Sequence, residues 1–212
     1  MRVVPSGWRY GGLLAALALP ALLLTPLASL AVLALAAGAV WFHRDPERSP
    51  PAEGVLAPAD GRVSVLREEP DGRIRVGTFM NVTDVHVNRA PAPGTVASVE
   101  HTPGAHRPAF SKESERNERV TITAESWELT LIAGAFARRI HPTVAPGESV
   151  QRGERVGYVS FGSRADVVLP ASVTLGDLRV SEGDRVRAGE TVLADVALTE
   201  EPTEAADRER AR

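Results

Sequence analysis

From Gly11 to Phe42 the chain runs about 32 residues without a charge, GGLLAALALPALLLTPLASLAVLALAAGAVWF. No other feature limits the fold so severely. A bilayer core takes about 20 apolar residues. A straight helix of this length would measure about 48 Å at about 1.5 Å per residue, too long for one upright crossing and too short for two comfortable ones. Pro20 and Pro26 interrupt the run, so it is expected to form either one kinked, tilted span or a shallow hairpin of two short helices. Arg2 and Arg9 flank it on one side and Arg44 and Arg48 on the other. The charge distribution therefore chooses no direction, and balanced flanks suit the hairpin. Ala34-Leu35-Ala36 resembles a signal cleavage site, but the apolar run is too long for a signal core and continues past it.

The remainder divides readily. Residues 43–54, HRDPERSPPAEG, form a proline-rich charged linker whose X-Pro bonds favour extended backbone. From Val55 to residue 198 short β-branched runs recur between Gly, Pro and Asp turns: 62–66, 73–80, 95–100, 119–123, 127–133, 155–161, 165–170 and 191–197. These predict a mainly β domain, a sandwich or a close variant of one. A helical turn fits 134–139. Two segments, 147-GESVQRGERVGYV-159 and 183-GDRVRAGETVLADV-196, resemble each other and suggest paired hairpins of the sandwich-hybrid kind found in lipoyl and biotinyl domains. The tail 199–212 is charged, has no apolar face and is expected to be disordered.

Composition removes several functions. A net charge of −3 and a pI near 6.0 offer no basic field for nucleic acid. Cysteine is absent, which excludes thiol nucleophiles, disulfides and thiolate metal sites. Lys112 is the only lysine. A lipoyl or biotinyl carrier needs a lysine at a hairpin tip, and neither similar hairpin has one. A metallopeptidase wants converging histidines, but the sequence contains no H-x-H or H-E-x-x-H, and Asp84 with His86 is poor in ligands. No metal is expected.

The candidate chemistry lies in 158-YVSFGSRADVVLP-170, where Gly162-Ser163 interrupts what reads as strand. A serine after a glycine can attack the carbonyl of its own preceding peptide when the backbone there is strained. Glycine admits the unusual dihedrals and the close approach this needs. The resulting ester can eliminate to dehydroalanine, and hydrolysis then gives a pyruvoyl group at a new N-terminus. The hydroxyl needs a base. Of the five histidines, His86 lies in 79-FMNVTDVHVNRAP-91, where alternation puts Asp84, His86 and Asn88 on one face; it reads either as a structural histidine satisfied by its neighbours or as that base. Asp60, in 55-VLAPADGRV-63, reads either as a turn aspartate before glycine or as the carboxylate that orients an imidazole. Arg138 and Arg139 read as surface charge or as a phosphate clamp.

Seven ordered fragments, WFHRDPER, LAPADGRV, FMNVTDVHVNRAP, ERNER, IAGAFARRI, RVGYVSFGSRADVVLP and GDRVRAGETVLA, together resemble the short archaeal and bacterial type of the phosphatidylserine decarboxylase family. The resemblance implies self-cleavage between Gly162 and Ser163. A β chain of 1–162 and an α chain of 163–212 would stay associated as a heterodimer, with Ser163 converted to the pyruvoyl cofactor. The substrate would be a serine phospholipid, phosphatidylserine or archaetidylserine, decarboxylated to the ethanolamine lipid. The enzyme would sit at the cell membrane with its catalytic domain on the cytoplasmic side. The single lysine agrees with this, because a pyruvoyl carbonyl forms the Schiff base with the substrate amine and needs no lysine to hold a cofactor. Longer relatives carry a second histidine where this chain has Arg89. Ser163, His86 and Asp60 are therefore the implied catalytic residues, with His86 serving both phases or Asp60 acting with little help. Arg89, Arg138 and Arg139 are candidates for the substrate phosphate. The competing reading is a membrane-tethered adaptor of the same fold without catalysis.

Overall fold

The protein is described by a computed structural model covering residues 2–105, 107, 116–135, 139–160, 162–170 and 172–196. The apolar run forms two helices, α1 (Pro5–Leu24) and α2 (Pro26–Phe42), which fold back on each other. Thr25 between them is extended, with φ −158° and ψ 151°, and its Oγ1 accepts the Ala28 N–H at 3.0 Å. Pro26 occupies the first turn of α2, where its missing N–H costs nothing. The helices approach closely at two glycines. A Cβ on Gly11 would lie 2.5 Å from Val40 Cγ2, and one on Gly7 would lie 2.6 Å from His43 Cβ. Ser29 Oγ donates to the Ala18 carbonyl at 2.9 Å. Leu13, Leu17, Leu23, Leu24, Leu27 and Leu30 point outward and are exposed. By length and composition α1 can cross a membrane.

Beyond the open end of this hairpin, β1 (Arg2–Val3) pairs with β2 (Arg44–Asp45), setting Arg2 opposite Asp45. Both basic flanks thus return to one end, and that accounts for their balance.

The β domain contains β3 (Val55–Leu56), β4 (Gly61–Glu68), β5 (Ile74–Met80), β6 (Val87–Arg89), β7 (Gly94–Thr102), β8 (Arg119–Ala124), β9 (Glu128–Ala133), β10 (Ile140–Pro142), β11 (Ser149–Val150), β12 (Arg155–Val159), β13 (Ser163–Leu169), β14 (Arg185–Val186) and β15 (Val192–Ala194). The fold is mainly β, as the alternating runs predict. The largest sheet has the order β11-β7-β8-β9-β13-β5-β4-β14, and a smaller one runs β10-β12-β6. Its core gathers Val63, Ile74, Val76, Val96, Ile122, Leu129, Leu131, Val156, Val167, Leu169 and Leu193. Full burial of each large aliphatic side chain is worth about 1.5–3 kcal/mol.

The two similar segments are structurally equivalent. Gly147 and Gly183 have φ of +87° and +94°, and Gly153 and Gly189 have φ of +72° and +71°. Gly147 N–H bonds to Val96 O and Gly183 N–H to Val63 O; Gly153 N–H bonds to Ala90 O and Gly189 N–H to Ala57 O. A second internal likeness, 57-APADGRV-63 with 90-APAPGTV-96, therefore receives the two turns in the same way. The turns at Gly153 and Gly189 lie back to back, and a Cβ on Gly189 would be 3.5 Å from Gly153 Cα.

One sequence expectation changes here. Ser163 is not part of a break between strands. It is the first residue of β13, paired with Met80 on β5 and Ala133 on β9, because neighbouring strands supply partners on both sides from that point. The preceding strand ends at Val159. The expected helical turn at 134–139 and the tail at 199–212 fall partly or wholly outside the described residues.

Candidate active site

β13 runs through the sheet with all of its residues buried. Ala165, Val167 and Leu169 enter the core, and period-two alternation puts Ser163 on their face. On the other face Arg164 grips Asp166 with two hydrogen bonds of 2.7 and 2.8 Å. Asp166 fits because Gly77 lies opposite it; a Cβ there would stand 2.7 Å from Asp166 Oδ1. A buried charge is tolerable only when paired in this way.

Gly162 has φ +65°, in the left-handed region where a residue with Cβ pays roughly 1–2 kcal/mol. Nothing lies within 4 Å of a Cβ built on it, so glycine is required there for its dihedrals and not for space. Ser163 is wholly buried, and its hydroxyl donates weakly to Met80 Sδ at 3.8 Å. Asn88 Nδ2 reaches the same sulfur at 3.7 Å and the Pro58 carbonyl at 3.5 Å. Asn88 Oδ1 and Thr78 Oγ1 are buried without a partner. Thr78 is paired with Ala165 and Met80 with Ser163, so spare polar capacity sits on the core face of β5 and β6, close to the serine. A buried polar atom left unpaired in this way calls for an explanation.

His86 enters from a tight turn. Asn81 N–H donates to Asp84 Oδ2 at 2.8 Å and Asp84 N–H to the Asn81 carbonyl at 2.9 Å. The turned chain presents the Asp84 carbonyl to His86 Nδ1 at 3.0 Å, while Gly162 N–H donates to His86 Nε2 at 3.3 Å. With Nε2 accepting, Nδ1 carries the proton. The Phe42 ring covers the imidazole, with centroids 4.5 Å apart. His86 is 3% exposed, and burial, only partly offset by its bond to Asp84, lowers its pKa to about 4. It is a neutral base at the residue preceding the serine.

The other sequence candidates lie differently. Asp60 does not meet an imidazole: both of its oxygens are held by Arg48 NH2, at 3.0 and 2.8 Å, and Oδ1 also accepts the Ala188 N–H at 2.8 Å. Arg48 bonds in addition to Glu190 at 3.0 Å. Asp84, Asp60, Arg44 and Arg185 line an open, polar cavity of about 480 Å³ that neither Ser163 nor His86 borders. Arg89 is buried, and its guanidinium is committed to Asp45 at 3.1 Å, the Gly153 carbonyl at 2.9 Å and the Pro46 carbonyl at 3.0 Å. A phosphodiester would have to displace these bonds, so Arg89 serves to fasten the linker to the domain. Arg139 is exposed, whereas Arg138 and Lys112 lie outside the described residues.

Sequence reasoning overlooked His43 and Ser160. His43 follows α2 and is 3% exposed, with Nε2 3.1 Å from Ser160 Oγ. A histidine at the end of an apolar helix carries no local signal of a partner more than a hundred residues away.

A family model described as phosphatidylserine decarboxylase matches residues 35–194. A protein of Halobacterium salinarum, provisionally named archaetidylserine decarboxylase proenzyme, is 58% identical over 190 residues, covering 90% of this chain and 97% of the relative. The phosphatidylserine decarboxylase proenzyme of Thermobifida fusca is 52% identical over 166 residues, covering 76% and 75%. That of Streptomyces avermitilis is 51% identical over 162 residues, covering 74% of each. The matched region contains the Gly162-Ser163 peptide, His86 and Asp60, and it favours a decarboxylase made as a proenzyme over a non-catalytic adaptor. This chain belongs to the phosphatidylserine decarboxylase family.

Proposed function

We propose that the chain cuts itself between Gly162 and Ser163, converts Ser163 into a pyruvoyl group, and decarboxylates a serine phospholipid at a membrane surface. The observation that carries this reading is the single hydrogen bond from Gly162 N–H to neutral His86 Nε2, beside a left-handed glycine and a buried serine. Ser163 Oγ attacks the Gly162 carbonyl carbon, the C–N bond breaks, and the amide nitrogen takes the hydroxyl proton. A base then removes the Ser163 Cα proton and the Gly162 carboxylate leaves. Hydrolysis of the dehydroalanine releases ammonia and leaves the ketone. We assign these proton transfers to His86, whose Nε2 already bonds to the residue before the serine; Asp60 is bound to Arg48.

The residues present suit a new carbonyl at Ser163. Asn88 and Thr78 offer buried polar atoms with unused hydrogen-bonding capacity, and β13 is held on both sides by β5 and β9, so the fragment beginning at Ser163 stays docked after cutting. A pyruvoyl group supplies the conjugated electron sink that decarboxylation of an amino acid requires. Arg48 and Asp60 on one fragment bond to Glu190 and Ala188 on the other, a second tie between the chains. The hairpin of α1 and α2 enters the bilayer and returns, holding the site at the interface where only the lipid headgroup must rise. Exposed Arg139 is the described arginine we assign to the headgroup phosphate.

The test is the intact mass of the denatured wild-type protein beside Ser163→Ala. Two fragments for the wild type, the smaller beginning in a pyruvoyl group, with the variant uncut, are expected. A single stable full-length mass for the wild type with lipid present overturns the reading.

A further inference from the structure

The end of the membrane hairpin touches the cleavage segment directly. His43 Nδ1–H donates to the Ala39 carbonyl of α2 at 2.8 Å, which leaves Nε2 to accept the Ser160 hydroxyl at 3.1 Å. Burial lowers the pKa of His43, keeping that nitrogen free of a proton. Two residues further on, Gly162 N–H is accepted by His86, and Phe42 packs on the His86 ring. Two neutral imidazoles therefore hold the chain just before the serine, one from the domain and one from the hairpin. The base of the hairpin is fixed in turn by Ser6 Oγ against Tyr158 OH at 3.1 Å and by Val4 N–H on the His43 carbonyl at 3.1 Å.

We infer that His43 is a positioning residue for self-cleavage: by holding Ser160 it sets the course of the chain into Gly162, so that the hairpin is part of the processing machinery as well as an anchor. The inference rests on the reading that the chain cuts at Gly162-Ser163. A small loss of order in this segment matters because an intramolecular attack depends steeply on the approach of the reacting atoms. A single neutral hydrogen bond of this kind corresponds to roughly three- to tenfold in rate.

Four full-length variants in detergent micelles test it: His43→Leu, His43→Gln, Ser160→Ala, and the Leu and Ala changes combined. The rate of fragment formation is read by intact mass from freshly synthesised chain, with thermal unfolding as a control for folding. His43→Leu and Ser160→Ala should each slow cutting by about three- to tenfold, and the double variant should be no slower than the slower single one. His43→Gln, whose Oε1 can accept from Ser160 near the place of Nε2, should return the rate to within about twofold of wild type. Wild-type speed in His43→Leu, multiplied losses in the double variant, or a Gln variant as slow as Leu would each overturn the inference. If His43→Leu fails to fold, Ser160→Ala and His43→Gln carry the same test. An uncut wild type would remove the underlying reading as well, whereas a cut wild type with indifferent variants removes this inference alone.

Discussion

Lowering the pH from 7 to 5 distinguishes a buried His86 base from an ordinary histidine. An imidazole with the usual pKa near 6.5 is only about 3% neutral at pH 5. His86, 3% exposed and covered by the tilted Phe42 ring, has its pKa lowered to about 4 because burial disfavours the imidazolium. By the same arithmetic it remains about 90% neutral at pH 5, so the two cases differ about thirtyfold in active base. Chain made by cell-free translation into detergent micelles is moved to buffers between pH 5 and 8, and the fragments ending at Gly162 and beginning at Ser163 are followed by intact mass. The rate of cutting should be nearly flat over that range, and His86→Ala should fall by ~10²–10⁴ throughout. A wild-type profile with its midpoint near pH 6.5 would refute a base buried in this way. The same shift acts on stability. The folded-state pKa is depressed, so the stability tied to neutral His86 is complete above pH 6.5 and is lost as the pH falls towards 4, by roughly 3 kcal/mol in total.

Other perturbations follow from particular contacts. Asp45→Asn leaves buried Arg89 without its anion and weakens the Arg155 contact; a loss of about 3 kcal/mol in chemical denaturation is expected, and an unchanged midpoint would argue that the linker is not fastened there. Gly61 has φ +151°, and a Cβ on it would stand 2.0 Å from the Phe79 carbonyl oxygen, so Gly61→Ala should cost at least about 3 kcal/mol and yield little folded protein. Leu17→Arg places a charge on the exposed flank of α1 and should weaken binding to liposomes about a hundredfold in flotation assays. Equal flotation of the variant would remove the bilayer from the account of the hairpin.

The alternation of β-branched residues and the spacing of Gly, Pro and Asp turns are local properties, and they located β4, β5, β7, β8, β9 and β13 to within a residue or two. The apolar run was equally legible, since composition over some thirty residues decides how a segment partitions. The resemblance of the two glycine hairpins could be read because equal backbone demands select equal residues: Gly153 and Gly189 share the same positive φ. The companion likeness of 57–63 with 90–96 is present in the sequence too, but its role, to receive the two hairpin turns, comes from backbone bonds made across the fold.

Sequence by itself determined the family, through ordered fragments that span most of the chain, and with it the serine, histidine and peptide bond to which we assign the chemistry. Tertiary structure alone decided which groups meet. Arg89 is spent on Asp45 and on Pro46 and Gly153 carbonyls, Asp60 is held by Arg48, and His43 turns from the end of the apolar hairpin to Ser160. The reason is physical: propensity and periodicity arise between residues a few positions apart, whereas the partner of a buried charge or imidazole is chosen by which strands the core brings alongside.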